Sequence, residues 1–167
     1  FIQHIPGTLP VVTPEPHPRR RGVGVIGLHE GRTLMMAMAT RCANARAVAE
    51  ALRAHPKVVE VYYPGFEGHD GHHVAVKQMR DFGGMVSFRV AGGEQEAVDV
   101  CARTRVFSLA ESLGGVESLI EHPAIMTHAS VPPDKRKTLG TDDNLCRLSV
   151  GIENVEDLWR DLEHGLQ

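Results

Sequence analysis

Long apolar runs are missing from this 167-residue chain. No stretch approaches the ~20 residues a helix needs to cross a bilayer, so a transmembrane helix is excluded and no membrane partner is expected. Charge of one sign is missing too: 18 basic and 21 acidic residues are intermixed for a net charge of −3, which offers no footprint to a phosphate backbone. Nucleic acid is therefore not an expected partner. Cysteine is scarce. Cys42, Cys101 and Cys146 are odd in number, contain no C-x-x-C pair, and follow no signal-like hydrophobic segment, as reduced thiols of a cytoplasmic protein would. Their simplest role is that of small buried hydrophobes. The chain also opens at Phe1 without a methionine, and is expected to be a piece of something longer.

What is there describes an ordinary globular chain, 42% hydrophobic and 23% charged. At ~150 residues per domain the length suits one domain with an arm, large enough to bury a core. Residues 1–32 form the expected arm, because Pro6, Pro10, Pro14, Pro16 and Pro18, the run Arg19-Arg20-Arg21 and several glycines oppose periodic structure. From Thr33 a helical spacing begins, with Leu34, Met38, Ala45, Val48, Ala49 and Leu52 three or four positions apart, and His55-Pro56 closes it. Lys57 to Tyr63 is β-branched and aromatic and stops at Pro64-Gly65, as a strand entering a turn does.

A short helix over His72 to Arg80 follows, then an alternating strand in which Val86, Phe88 and Val90 face one way and Ser87 and Arg89 the other. Glu94 to Arg103 is spaced as a helix, Val106 to Leu109 and Leu145 to Val150 as strands, and Glu153 to Leu166 as an amphipathic helix capped by Asn154. The expected fold is α/β: a two-layer sandwich of a small, mainly antiparallel sheet with helices on one face.

Two patterns suggest chemistry but lack its context. Gly22-Val23-Gly24-Val25-Ile26-Gly27 has the letters of a pyrophosphate loop, yet His17 to Arg21 cannot be the buried strand that must precede one. His69, Asp70, His72 and His73 offer metal-binding side chains, but Gly68 and Gly71 favour a solvated turn. The denser region lies between Leu109 and Gly151. Glu111 and Ser112 follow a strand and precede Gly114-Gly115, hydroxyls recur at Thr127 and Ser130, and Arg147 sits within a strand. A strand arginine facing a cleft receives a carboxylate through its planar fork, whereas one on the open face is merely solvated; periodicity leaves both open.

These segments make a family likeness visible. Tyr63-Pro64-Gly65, Gly83 to Val86, Ala110-Glu111-Ser112-Leu113-Gly114-Gly115-Val116-Glu117-Ser118-Leu119, Pro123 to Ser130 and Arg147-Leu148-Ser149-Val150-Gly151 run in order through a stretch from about Asn44 to Leu166. Over that stretch the chain resembles the C-terminal domain of the pyridoxal-phosphate enzymes of cysteine and methionine metabolism, most of all the cystathionine gamma-lyase branch and next the gamma-synthase branch. The likeness implies residues 33–167 as a substrate-binding domain of fold type I, with pyridoxal 5'-phosphate bound by a large domain that is absent here. It implies an amino-acid substrate, cystathionine, cleaved to cysteine, 2-oxobutanoate and ammonia, and a homotetramer or docking on a full-length subunit. By the same likeness Arg147 grips the α-carboxylate, Ser112 helps hold substrate, Thr127 supports the carboxylate site and Glu111 lines the pocket.

The departures are as specific. Lys57, Lys77, Lys135 and Lys137 match no cofactor lysine, so the chain alone is expected to lack turnover. Between Val11 and Gly31 the family pattern is lost, and Ala37 and Arg41 stand where the family usually carries an arginine and a histidine. A non-catalytic docking module is the rival expectation, since a domain that normally packs on a larger one exposes an apolar face when alone.

Overall fold

The structure, a computed structural model, describes residues 23–167. The chain divides into two units, Phe1–Thr33 and Leu34–Gln167. In chain order the elements are α1 (Val23–Ala54), β1 (Val58–Tyr62), α2 (His72–Gln78), β2 (Met85–Val90), α3 (Glu94–Arg103), β3 (Ser108–Leu109), β4 (Leu119–Glu121), α4 (Pro133–Thr138), β5 (Leu145–Ser149) and α5 (Val155–Gly165).

Helix α1 begins at Val23 and not at Thr33. Pro18 is the last proline of the head, and the glycines beyond it cost a helix only about 1 kcal/mol each without removing a hydrogen bond. The expected irregular arm is thus helical over residues 23–32. Residues 23–27 of the glycine pattern lie in the helix and form no phosphate loop; Gly22, the arginine run and the rest of residues 1–22 lie outside the described residues. No helix among the described residues is long and apolar enough to cross a membrane.

The five strands make one sheet in the order β1-β2-β5-β4-β3, antiparallel throughout except for the parallel pair β3 and β4. Alternation along β2 follows the expected pattern, with Val86, Phe88 and Val90 buried and Met85, Ser87 and Arg89 half-buried. The buried side meets the helices: Ala45, Val48, Ala49 and Leu52 of α1, Ala97, Val100 and Cys101 of α3, and Leu158 and Leu162 of α5 close one core with Phe88, Ile120, Cys146 and Leu148. All three cysteines are free and buried. This is the two-layer α/β sandwich read from the sequence.

Local chemistry corrects several boundaries. The strand expected over Val106 to Leu109 shrinks to two residues because the carboxylate of Asp161 on α5 accepts the backbone N–H groups of Arg105, Val106 and Phe107 at 2.8 to 2.9 Å. Those donors are lost to a ladder. The α2 helix stops at Gln78, two residues short of the expected Arg80. Helix α5 begins as expected, with the Asn154 side chain accepting from the N–H of Glu156 at 2.8 Å.

The loop from Gly114 to Ser118 is bound to the far end of β5. Ser118 Oγ accepts from the N–H of Gly151 at 2.8 Å and donates to Glu153 Oε2, while the Ser118 N–H donates to Glu153 Oε1 at 2.7 Å. Gly151 is where the two backbones touch, since a Cβ there would lie 2.3 Å from the Val116 carbonyl oxygen. Gly151→Ala should therefore lower unfolding stability by roughly 1–3 kcal/mol in urea denaturation, the cost of overpacking. Gly68→Ala, whose Cβ would meet nothing within 4 Å, should stay within about 0.5 kcal/mol of the parent.

Candidate functional site

Pairing register builds the site. On the sheet face opposite the helices, Ser87 of β2 lies across from Arg147 of β5, and Arg147 lies across from Glu121 of β4. Side chains directly opposite in an antiparallel pair stand ~5 Å apart at Cβ, so a basic and an acidic residue placed this way must meet. They do: Arg147 Nη2 is 2.9 Å from Glu121 Oε1. The Arg147 side chain keeps 17% of its exposure, whereas Glu121 is buried to 1%. Of the two placements left open for Arg147, the structure gives an intermediate one, on the sheet's polar face and held there by an acid.

Thr127 joins the pair from the turn that follows β4. Its hydroxyl donates to Glu121 Oε1 at 3.3 Å and lies 2.9 Å from His128 Nδ1. Two of the expected site residues, Arg147 and Thr127, thus meet through a third that the sequence reading passed over. Among the described residues Glu121 Oε2 is buried without a hydrogen-bond partner. Burial raises the Glu121 carboxyl above its ordinary value, outweighing the Arg147 charge and the Thr127 hydrogen bond that lower it; the neighbouring charge of Glu111 raises it further.

Ser112 and Glu111 are exposed, on the loop after β3. The loop is tied to β5 two residues from Arg147, where Ser149 Oγ accepts from the N–H of Gly114 at 3.0 Å. Gly114 has φ +88°, a conformation that L side chains resist, so glycine lets the loop turn onto the strand. Arg41 adds a second tie. It is buried, donates from Nη2 to the same Ser149 Oγ at 3.0 Å, and donates from Nε to the Val150 carbonyl at 2.8 Å. The residue that departs from the family pattern on α1 is therefore packed into the strand end beside the site. Ser149 could have been found in the sequence as the next residue on the face of Arg147; Glu121 could not, because three-residue β4 shows no period of its own.

The histidine group takes ordinary roles. His72 Nδ1 lies 2.8 Å from the Pro64 carbonyl with its ring stacked on Phe82, and His69 Nδ1 accepts from the Gly71 N–H. Among the described residues no group of three or more metal-ligating side chains forms.

Arg147 and Thr127 present a guanidinium and a hydroxyl, donors that suit a carboxylate and not a cofactor ring. Lys57 donates to the Gln167 carbonyl, Lys77 lies on α2 and Lys135 on α4, and none of these three is bonded to the Arg147 cluster. The chemistry this surface supports is capture and orientation of a carboxylate by a guanidinium whose direction is set from behind.

Glu121 also sets a pH dependence. A carboxyl raised in the folded state holds its proton more tightly than in the unfolded chain, so its contribution to stability is complete below the ordinary carboxyl range and is lost as pH rises through the folded value. Thermal unfolding of the parent and of Glu121→Gln across that range should show the parent losing ground to the variant as pH rises. Parallel curves would contradict the shift.

Comparison with known proteins gives the chemistry its context. The family model for Cys/Met metabolism PLP-dependent enzymes matches residues 26–167. A cystathionine gamma-synthase of Mycobacterium bovis is 56% identical over 135 residues, which are 81% of this chain and 34% of that protein. A cystathionine beta-lyase of Coxiella burnetii is 54% identical over 81% of this chain and 35% of its own length. Among solved structures, cystathionine gamma synthase from Xanthomonas oryzae pv. oryzae, in complex with aminoacrylate and cysteine, aligns with TM-score 0.77 and 49% identity over 81% of this chain and 35% of that one. The chain spans about a third of the length of the curated relatives it matches. With a family model covering most of its length and relatives above half identity, this chain belongs to the Cys/Met metabolism PLP-dependent enzymes.

Proposed function

We propose that this chain is the part of a trans-sulfuration enzyme that grips the substrate's α-carboxylate, acting on an amino acid that carries sulfur on its side chain. The observation that carries the reading is the Arg147 guanidinium, partly exposed and fixed by Glu121 on the polar face of the sheet. Arg147 would receive the carboxylate through the donors that Glu121 leaves over. Thr127 would stiffen that receptor through Glu121. Ser112, on the loop held at Ser149, would bear on the bound amino acid, and Glu111, exposed beside it, would discriminate by side-chain length and charge.

Pyridoxal phosphate supplies the family's electron sink. What this chain contributes is orientation: a carboxylate held at two points fixes the rotation of the α-carbon and so aligns the bond to be broken.

Two reactions fit. Gamma-lyase cleavage of cystathionine to cysteine, 2-oxobutanoate and ammonia is the reading that the motifs favoured, and gamma-synthase chemistry is favoured by the 56% identical relative of that name. The two share the carboxylate grip and differ in the second substrate. Homo-oligomerisation, or docking on a full-length subunit, is proposed with either.

The test uses a chimera in which residues 34–167 replace the matching part of the Mycobacterium bovis relative. The chimera should turn over, and Arg147→Lys, which keeps charge but loses the fork, should cost roughly 100-fold or more in kcat/KM. An unchanged kcat/KM would end the reading. The unfused chain mixed with pyridoxal phosphate should show neither lysine-linked absorbance nor cystathionine cleavage.

A further inference from the structure

Arg147 meets a substrate carboxylate only if its charge can be shared with, or released by, the acid already on it. That acid is unusual. Glu121 is almost wholly buried, and one oxygen, Oε1, takes both the Arg147 Nη2 contact at 2.9 Å and the Thr127 hydroxyl at 3.3 Å. The other, Oε2, is out of water with no hydrogen-bond partner among the described residues. An ionised carboxylate normally fills both oxygens when buried, because a bare anionic oxygen forfeits its hydration without return. The arrangement is tolerable for the ion only while Arg147 is undivided.

We propose that Glu121 is a proton-linked positioning residue, which holds Arg147 as an ion while the site is empty and takes a proton from solvent when a ligand carboxylate occupies Arg147. The inference rests on the carboxylate-gripping role given to Arg147 above, and adds how that grip is regulated.

The balance is simple. An arriving carboxylate brings a second negative charge to a guanidinium that already has one. Two carboxylates around one cation in a site of low dielectric cannot both stay ionised at ordinary cost, and the buried one is the one to protonate. One proton from bulk water forms an O–H bond at Oε2, and the charge summed over Arg147, Glu121 and the ligand carboxylate returns to its starting value, the ligand's α-ammonium ion standing outside this sum. Thr127 remains on Oε1, so the side chain need not swing.

Among the described residues, the groups facing Glu121 include one other carboxylate, Glu111, which is exposed where Glu121 is buried. From β5 comes Arg147, which stays charged. From the turn after β4 come Thr127, which does not titrate, and His128, whose Nδ1 sits on the Thr127 hydroxyl. From the loop after β3 comes the charge of Glu111, and its effect is to raise Glu121 further. His122, next along the chain, turns its Nε2 to the Asp143 carbonyl instead.

The experiment follows the Glu121 carboxyl carbon and the Arg147 Nε by NMR in the labelled 167-residue chain, titrated with acid, alone and with L-methionine or its alcohol L-methioninol as probes. Alone, the two signals should share one midpoint above the ordinary glutamate range. L-methionine should move that midpoint upward and L-methioninol should not. The apparent affinity for L-methionine should fall about tenfold per pH unit above the free midpoint, until the bound state also ionises. In Glu121→Gln the affinity should lose its pH dependence; should that variant not fold, the parent's two titrations decide alone.

Binding of L-methionine at Arg147 with no pH dependence, or with the Glu121 midpoint unmoved at saturation, overturns the proposal and leaves the carboxylate reading standing. Failure of L-methionine to move the Arg147 signal at any pH overturns both.

Discussion

A guanidinium and a carboxylate facing each other across two antiparallel strands hold this site together. Arg147 and Glu121 meet because β4 and β5 pair in one register. A slip of one residue by either strand would send its member of the pair into the hydrophobic layer under α3 and α5. That layer makes the slip costly, since Ile120, Cys146 and Leu148 alternate with the charged pair and are themselves fully buried. The apolar face thus fixes the register, and the register fixes the ion pair. The loop carrying Glu111 and Ser112 is then fastened to the same strand at Ser149.

Much of this could be read along the chain, and what could not has a physical cause. The helices over Glu94–Arg103 and Val155–Gly165, and the alternation of β2, declared themselves because each repeats its period several times. The start of α1 did not, because glycines mask a helix more than they prevent one. Val106 looked like strand and is instead wrapped around Asp161, a contact 55 residues away that no local pattern announces. In the site, Arg147 and Thr127 were legible as residue types in recognisable motifs. Their connection was not, since Glu121 acts through strand pairing and burial. Its partners are set by the neighbouring strand.

Arg41 shows how a departure from a family pattern can be absorbed. A buried cation needs acceptors, and the strand end provides them: the Ser149 hydroxyl and the Val150 carbonyl. The same hydroxyl accepts the Gly114 amide, so α1, β5 and the glycine loop converge on one oxygen. The segment of α1 near Arg41 therefore stiffens the strand end beside Arg147, although it carries none of the residues expected to touch an amino acid.

The central claim is that this face of the sheet receives a carboxylate at Arg147 while Glu121 holds the guanidinium from behind. The most direct check is a crystal structure of the chain grown with a saturating α-amino acid. The ligand carboxylate should lie on the Arg147 fork, with Glu121 still in contact with Nη2 and the Ser112 loop closed over the strand end. An Arg147 side chain turned into solvent, with the ligand elsewhere or Glu121 paired to another cation, would contradict it.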